Sequence, residues 1–330
     1  MENKTKQSLK MLSLVNKRRT ELKIMNYGAA ILSLKMKDKH QKEINVIVSP
    51  KPEEFLTADY WERNQCFGAS IGRYAGRISE GKFKIGKEEY SLYQKDGVHL
   101  HGGEFGFQYK FWSFQEENSG ENPSVKLQYV SPDGEEGYPG KLTATVKYTL
   151  TEKDEVLIEY TATTDKKTVV NLTNHAYFNL NGNGSVSDHF LQIKAKKMLE
   201  VNEKQLPTGN LVKLKGNPKD YRENKLIGNR HLDDVYVLAT DEEEVAAQLF
   251  SPLTGVKMEL RTNQPAMVAY APESLPEEFS YTTNFAEYPS ICLEAQNFPD
   301  APNFRNFPSS VLEPGKVYQN RISLQFSVKE

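Results

Sequence analysis

Leu142-Thr143-Ala144-Thr145-Val146-Lys147-Tyr148-Thr149-Leu150 decides the fold class of this 330-residue chain. Apolar side chains at 142, 144, 146, 148 and 150 alternate with threonines and a lysine. A period of two puts one face of a strand on a core and the other in water. A polar stretch, residues 151–155, follows, and alternation resumes with Val156, Ile158, Tyr160 and Ala162 on one face, so the two runs read as an antiparallel hairpin. The C-terminus repeats the pattern, with Ile322, Leu324, Phe326 and Val328 alternating with Arg321, Ser323, Gln325 and Ser327. That last strand is expected to pair within a sheet.

Outward from these strands, turn chemistry recurs at Pro132-Asp133-Gly134, Gly182-Asn183-Gly184, Pro207-Thr208-Gly209 and Pro314-Gly315, too often for long helices to fit between. Helical candidates are short and bounded by proline, at residues 52–58 and 299–306. No internal repeat, low-complexity tract or linker interrupts the chain. The expectation is one domain over residues 1–330, all-β, a large antiparallel β-sandwich with few short helices.

Composition narrows the partners. Forty-two basic against forty-four acidic residues leave a net charge of -2, which disfavours binding to nucleic acid or anionic membranes and points to a neutral small molecule. The chain is long enough to bury a large core without disulfides or metals. Its two cysteines, Cys66 and Cys292, sit in apolar surroundings and read as buried thiols of a reducing, cytoplasmic compartment. The N-terminal residues carry no export signal, and no apolar run reaches the length of a membrane span.

Three segments carry candidate chemistry. In residues 168–180, Val170, Leu172, Ala176, Phe178 and Leu180 are apolar, while Asn171, Thr173, His175, Tyr177 and Asn179 fall on the opposite face of an extended chain. Hydroxyl-rich ligands demand many directional partners, so this face suits the floor of a sugar cleft; the plainer reading is a solvated outer face. In residues 290–296, Cys292, Glu294 and Gln296 share one face and Ile291, Leu293 and Ala295 the other. A carboxylate in that apolar run is costly unless used or paired, so Glu294 is either a working group or half of a buried ion pair. In His99-Leu100-His101-Gly102-Gly103-Glu104 two imidazoles at i and i+2 would point the same way on a strand, yet no third ligand at metal spacing follows. Bare glycines there suggest close backbone approach to a ligand. Trp61, Trp112, Tyr74, Tyr109 and Tyr177 are the aromatic candidates for stacking on a sugar, each equally readable as core.

Together these segments resemble the aldose 1-epimerase (galactose mutarotase) family in motif order. Gly72-Arg73-Tyr74-Ala75-Gly76-Arg77-Ile78 looks like its arginine motif, Leu100-His101-Gly102-Gly103 its first histidine motif, and Ser131-Pro132-Asp133-Gly134-Glu135-Glu136-Gly137-Tyr138-Pro139-Gly140 its loop before the central hairpin. Asn171-Leu172-Thr173-Asn174-His175-Ala176-Tyr177-Phe178-Asn179-Leu180 resembles the second histidine motif, Leu206-Pro207-Thr208-Gly209 a family turn, and Leu293-Glu294-Ala295-Gln296-Asn297-Phe298-Pro299-Asp300-Ala301 the catalytic glutamate motif. The resemblance implies a large β-sandwich, Glu294 as general base, His175 as general acid, and Arg77, His101 and Asp233 as binders of the sugar's hydroxyls and ring oxygen. Gly76, Val98 and Asp234 depart from the family pattern at positions that touch substrate contacts rather than the acid–base pair.

The implied reaction interconverts α and β anomers of a hexose such as galactose or glucose. It removes a proton from the C1 hydroxyl and delivers one to the ring oxygen. One carboxylate and one imidazole suffice, with no metal or nucleotide cofactor, Glu294 being ionised and His175 able to supply a proton at neutral pH. Three alternatives stand beside it: a β-sandwich glycosidase using Glu294 with Asp233, a non-catalytic sugar-binding protein, and a sugar-phosphate epimerase with Arg63, Arg73 and Arg305 converging at the cleft rim. A monomer or homodimer is expected.

Overall fold

The computed structural model describes residues 8–63 and 65–329. The N-terminal reading of residues 1–6 lies outside the described residues. Among them, two antiparallel sheets, one of nine strands and one of seven, form the body of the molecule. The nine-stranded sheet is built around the expected hairpin: Leu142–Leu150 pairs with Glu155–Thr164, Val146 opposite Tyr160. Leu142, Ala144, Val146, Tyr148 and Leu150 are all fully buried. The C-terminal strand Tyr318–Val328 is central, lying between Glu155–Thr164 and Val256–Thr262. Ile322, Leu324 and Phe326 are buried as the alternation requires, while Val328, the last residue of the strand and paired with Val256, is exposed.

The seven-stranded sheet runs in the order Pro207–Lys213, Ala195–Val201, Leu232–Leu238, Ala266–Ala271, Ile291–Gln296, Tyr177–Phe178, Ile47–Val48. Its inner face, including Ile291, Leu293 and Ala295, belongs to one hydrophobic cluster with Val146, Ile158 and Leu324 of the nine-stranded sheet. Each of the larger aliphatic side chains stabilises the fold by about 1.5–3 kcal/mol when fully buried. Strand alternation then forces residues 233, 235, 268, 270, 294 and 296 onto the opposite face, and that face forms a cleft.

Three local expectations need correction. Residues 168–180 do not form one extended strand. They break into the two-residue strands Thr168–Val169, Thr173–Asn174 and Tyr177–Phe178, each paired with a different partner. The helical candidates are a 3-10 turn at Pro52–Leu56 followed by a short α-helix Ala58–Arg63, and a single 3-10 turn Ala301–Asn303. Pro207-Thr208-Gly209 lies inside a strand; the turn is just upstream, where Asn202 accepts backbone N–H bonds from Lys204 and Leu206.

Candidate active site

Register across four strands assembles the cleft floor. Asp233 lies opposite Tyr270, Tyr270 opposite Cys292, and Cys292 opposite Tyr177. One step along, Val235 lies opposite Val268 and Val268 opposite Glu294. Because paired residues of neighbouring strands share a face, side chains distant in sequence come together without any loop having to place them. Glu294 and Gln296 line the cleft and Cys292 is buried beside it, the face read from the sequence.

His175, Arg77 and His101 come in from the side. His175 is anchored by its backbone, its N–H donating to the Ala69 carbonyl and its carbonyl accepting from the Gly68 N–H. Its ring lies 5.1 Å from that of Tyr177, nearly parallel, and Nε2 stands 3.6 Å from Glu294 Oε1. Arg77 opens the strand Arg77–Ser79 and reaches Asp233, Nη2 to Oδ2 at 3.3 Å. His101 follows the strand Val98–Leu100 in a left-handed conformation, φ 49°. That turn separates it from His99, so the two imidazoles do not share a face: His99 is fully buried, with Nδ1 against the Tyr93 carbonyl and Nε2 against the Tyr138 hydroxyl. His101 Nδ1 accepts from the Gly76 N–H at 3.2 Å, which leaves the proton of a neutral ring on Nε2. The glycines after His101 allow close approach of the protein's own backbone rather than of a ligand: a Cβ on Gly102 would fall 1.8 Å from the Gly72 carbonyl oxygen, and neither Gly102 nor Gly103 lines the cleft.

All five residues read from the sequence as a site, Glu294, His175, Arg77, His101 and Asp233, therefore line one cleft. One ring nitrogen each of His101 and His175 and a carboxylate oxygen of Glu294 lie within 4.8 Å of one another, so these three are also the residues that could hold a cation.

Burial sets the electrostatics. It pushes the Glu294 carboxyl up to about 8, with the Asp233 charge adding to the rise and the Arg77 guanidinium opposing it. It takes the His175 imidazole down to about 4. His101 is held well below its ordinary value by burial first, then by His175 and Arg77. Both shifts run against the expected pairing of an ionised Glu294 with a proton-bearing His175, because burial favours the neutral form of each and so places a shared proton on the carboxyl. The protonated carboxyl with neutral imidazole and the carboxylate with imidazolium hold the same number of protons, so a ligand that hydrogen-bonds the carboxylate shifts the proton within the pair without exchange with water.

Of the five polar side chains read onto one face of residues 168–180, two line the cleft, His175 and Tyr177. The others bond buried backbone: Asn171 Nδ2 donates to the Ala75 and Asn297 carbonyls, Thr173 Oγ1 to Ala295, and Asn179 Nδ2 to Pro289. Irregular chain inside a core leaves carbonyls that only side chains can satisfy, which is the physical use of this polar run. Of the aromatic candidates, Tyr177 alone lines the cleft; the Trp112 indole donates to the Phe107 carbonyl and the Tyr74 hydroxyl to that of Phe298, both from buried positions. Sequence reading missed Tyr270, Gln65 and Gln205 as lining residues. Tyr270 was legible as part of an apolar strand, but which face it uses is fixed by its register with Asp233.

The three departures have structural accounts of unequal depth. Gly76 adopts φ 78°, and a Cβ there would come within 3.2 Å of Gln296 Nε2. Asp234 points away from the cleft, buried and bonded to Lys219 Nζ. Val98 pairs with Ser79, and nothing in the structure explains its identity. The arginines named for a phosphate do not converge: Arg63 pairs with Glu278, Arg305 is exposed outside the cleft, and Arg73 is buried under the 131–140 loop.

Solved structures described as epimerases of sugars share this two-sheet architecture. The galactose 1-epimerase of Lactobacillus acidophilus superposes with a TM-score of 0.85 at 28% identity, covering 100% of this chain and 98% of that one. An aldose epimerase homologue from C. elegans superposes with a TM-score of 0.88 at 26% identity, covering 98% and 100%. The family model for aldose 1-epimerase matches residues 10–325, and the chain belongs to that family. It is 37% identical to the galactose mutarotase of Mus musculus, over 92% of this chain and 90% of that one, and 33% identical to the aldose 1-epimerase of Escherichia coli, over 97% and 96%. The protein is an enzyme that acts on carbohydrates.

Proposed function

We propose that this enzyme interconverts the α and β anomers of a hexose such as galactose or glucose, with Glu294 and His175 exchanging protons with the sugar. The observation that carries the reading is the separation of that pair. The C1 hydroxyl and the ring oxygen are attached to the same carbon, so a base for one and an acid for the other must be near neighbours. His175 Nε2 and Glu294 Oε1 stand 3.6 Å apart on the cleft wall. Sugar hydroxyls bonding to Glu294 Oε2, which has no partner among the described residues, lower the carboxyl and move the shared proton to the imidazole. Glu294 then takes the C1 hydroxyl proton while His175 protonates the ring oxygen; the bond between C1 and that oxygen breaks and a carbonyl forms at C1. Rotation about the C1–C2 bond presents the other carbonyl face, and reclosure returns both protons. Arg77, Asp233 and His101 bind the hydroxyls and ring oxygen.

Dispersal of Arg63, Arg73 and Arg305 favours a neutral sugar over a phosphorylated one, since Arg77 is the cationic side chain of the lining and is paired with Asp233. A hydrophobic cluster drawing residues from Leu14 to Phe326 supports a single domain. Among the described residues no helix is long and apolar enough to cross a membrane. The two buried thiols support a reducing, cytoplasmic setting, and a monomer or homodimer remains the expected assembly.

The test follows the optical rotation of freshly dissolved α-D-galactose and α-D-glucose with enzyme, with E294Q, and with a chelator. Acceleration that survives the chelator and is lost in E294Q is the expected result. No acceleration of either sugar overturns the reading.

A further inference from the structure

Three cleft-lining side chains carry buried polar atoms without a hydrogen-bond partner among the described residues: Nδ1 of His175, Oε2 of Glu294, and both amide atoms, Oε1 and Nε2, of Gln296. The proposed proton transfers use the first two residues. They do not use Gln296, although its side chain is fully buried. Leaving a buried donor or acceptor unpaired costs about 1–3 kcal/mol per group, so an amide stranded at both ends is a standing cost to the fold unless a ligand completes it.

The amide's position says which ligand group that is. Gln296 is two residues beyond Glu294 on the same face of the same strand, about 6.5–7 Å along it. On its other side stands Gly76, where any Cβ would lie 3.2 Å from Nε2 and 3.1 Å from Pro299 Cγ. With no side chain at 76, the space beside the buried amide, at the cleft that both residues line, is left unfilled. An amide offers one acceptor and a pair of donor hydrogens, the complement of a hydroxyl, which both donates and accepts; a phosphate or carboxylate would leave the amide oxygen unmatched.

We infer that Gln296 is a further substrate-binding residue, gripping a ring hydroxyl next to the anomeric one, on C2 or C3 of the sugar. This rests on the proposed reading of Glu294 as the group at the C1 hydroxyl. It makes Gln296, rather than the acid–base pair, a determinant of which sugars are turned over. A site built to hydrogen-bond a substrate hydroxyl discriminates strongly against an analogue lacking it, because the site's own polar atoms are then left unpaired.

The test compares glucose, 2-deoxyglucose and 3-deoxyglucose as substrates of the wild type, of Q296M and of Q296L, with Tm measured for each protein. The wild type is expected to handle one deoxysugar at least about 10-fold worse than glucose in kcat/KM. Both variants are expected to lose a similar factor on glucose, little on that deoxysugar, and nothing in Tm, since replacing an unpartnered amide with an apolar chain removes a penalty. Equal losses on all three sugars, or a fall in Tm in both variants, overturn the inference and make Gln296 a packing residue. Wild-type discrimination retained in the variants overturns the inference alone. No wild-type acceleration with any sugar overturns the epimerase reading and this inference with it.

Discussion

His175 Nε2 stands 3.6 Å from Glu294 Oε1, yet among the described residues no group hydrogen-bonds Glu294 Oε2 or His175 Nδ1. Two titratable groups in contact, buried and incompletely satisfied, are held that way by strands and backbone bonds on both sides. The arrangement carries a cost in stability and has a use in proton transfer.

Removing either member should stop the chemistry. E294Q and H175N are each expected to lower kcat by about 10²–10⁴, the usual worth of a positioned acid or base, with circular dichroism unchanged. Near-native turnover in E294Q, read by polarimetry, would remove Glu294 from the mechanism.

The pH profile should be bell-shaped. Turnover needs one proton on the pair; with the carboxyl raised to about 8 and the imidazole lowered to about 4, that proton is lost on the alkaline side and a second gained on the acid side. A kcat/KM profile falling above pH ~8 and below pH ~4 is expected. A profile with one limb near pH 6.5 would mean that an unperturbed histidine controls the rate.

The raised carboxyl also has a stability consequence. Between the unfolded value of about 4.3 and the folded value of about 8, the native state binds the proton more tightly than the unfolded chain, so stability falls as pH rises through that window. E294Q has no proton to lose, so it should gain on the wild type by about 1 kcal/mol or more at pH 8 relative to pH 4. Urea denaturation at the two values measures it, and an equal difference at both would refute the shift.

Arg77 and Asp233 form one binding unit. Each is three-quarters or more buried and they touch at 3.3 Å, so D233N should raise KM by about 10-fold and R77M by more, with a double variant well short of the product of the two. Additive losses would show that the residues bind the sugar independently.

Arg73, three residues from the cleft's Gly76, should matter for stability instead. Its guanidinium donates to Ser131 Oγ and to the carbonyls of Ser131, Pro132, Pro139 and Gly140, fixing the loop ahead of the central hairpin. R73M leaves those carbonyls buried and unpaired and should cost about 3–5 kcal/mol in denaturant midpoint analysis. Full stability in R73M would refute the assignment.

Much of this was legible in the residues themselves. Period-two alternation around Val146, Ile158 and Leu324 gives strands with one buried face because a pleated chain has no other way to sort those side chains. The isolated carboxylate at 294 marked itself by its cost in an apolar strand, and the family motifs named its partners. Tertiary structure alone decided the rest. The alternate polar residues from Asn171 to Asn179 looked like one face; two-residue strands and broken register turn three of these five side chains to orphaned backbone carbonyls and leave His175 and Tyr177 at the cleft. His99 and His101 looked like a pair until a left-handed residue after Leu100 sent them to different places. Asp233, Tyr270 and Glu294 share a surface through cross-strand register, and the carboxyl's raised affinity for its proton comes from burial. Local sequence sets the period of each strand; which strands lie side by side, and how far they slide, depends on contacts between residues far apart in the chain.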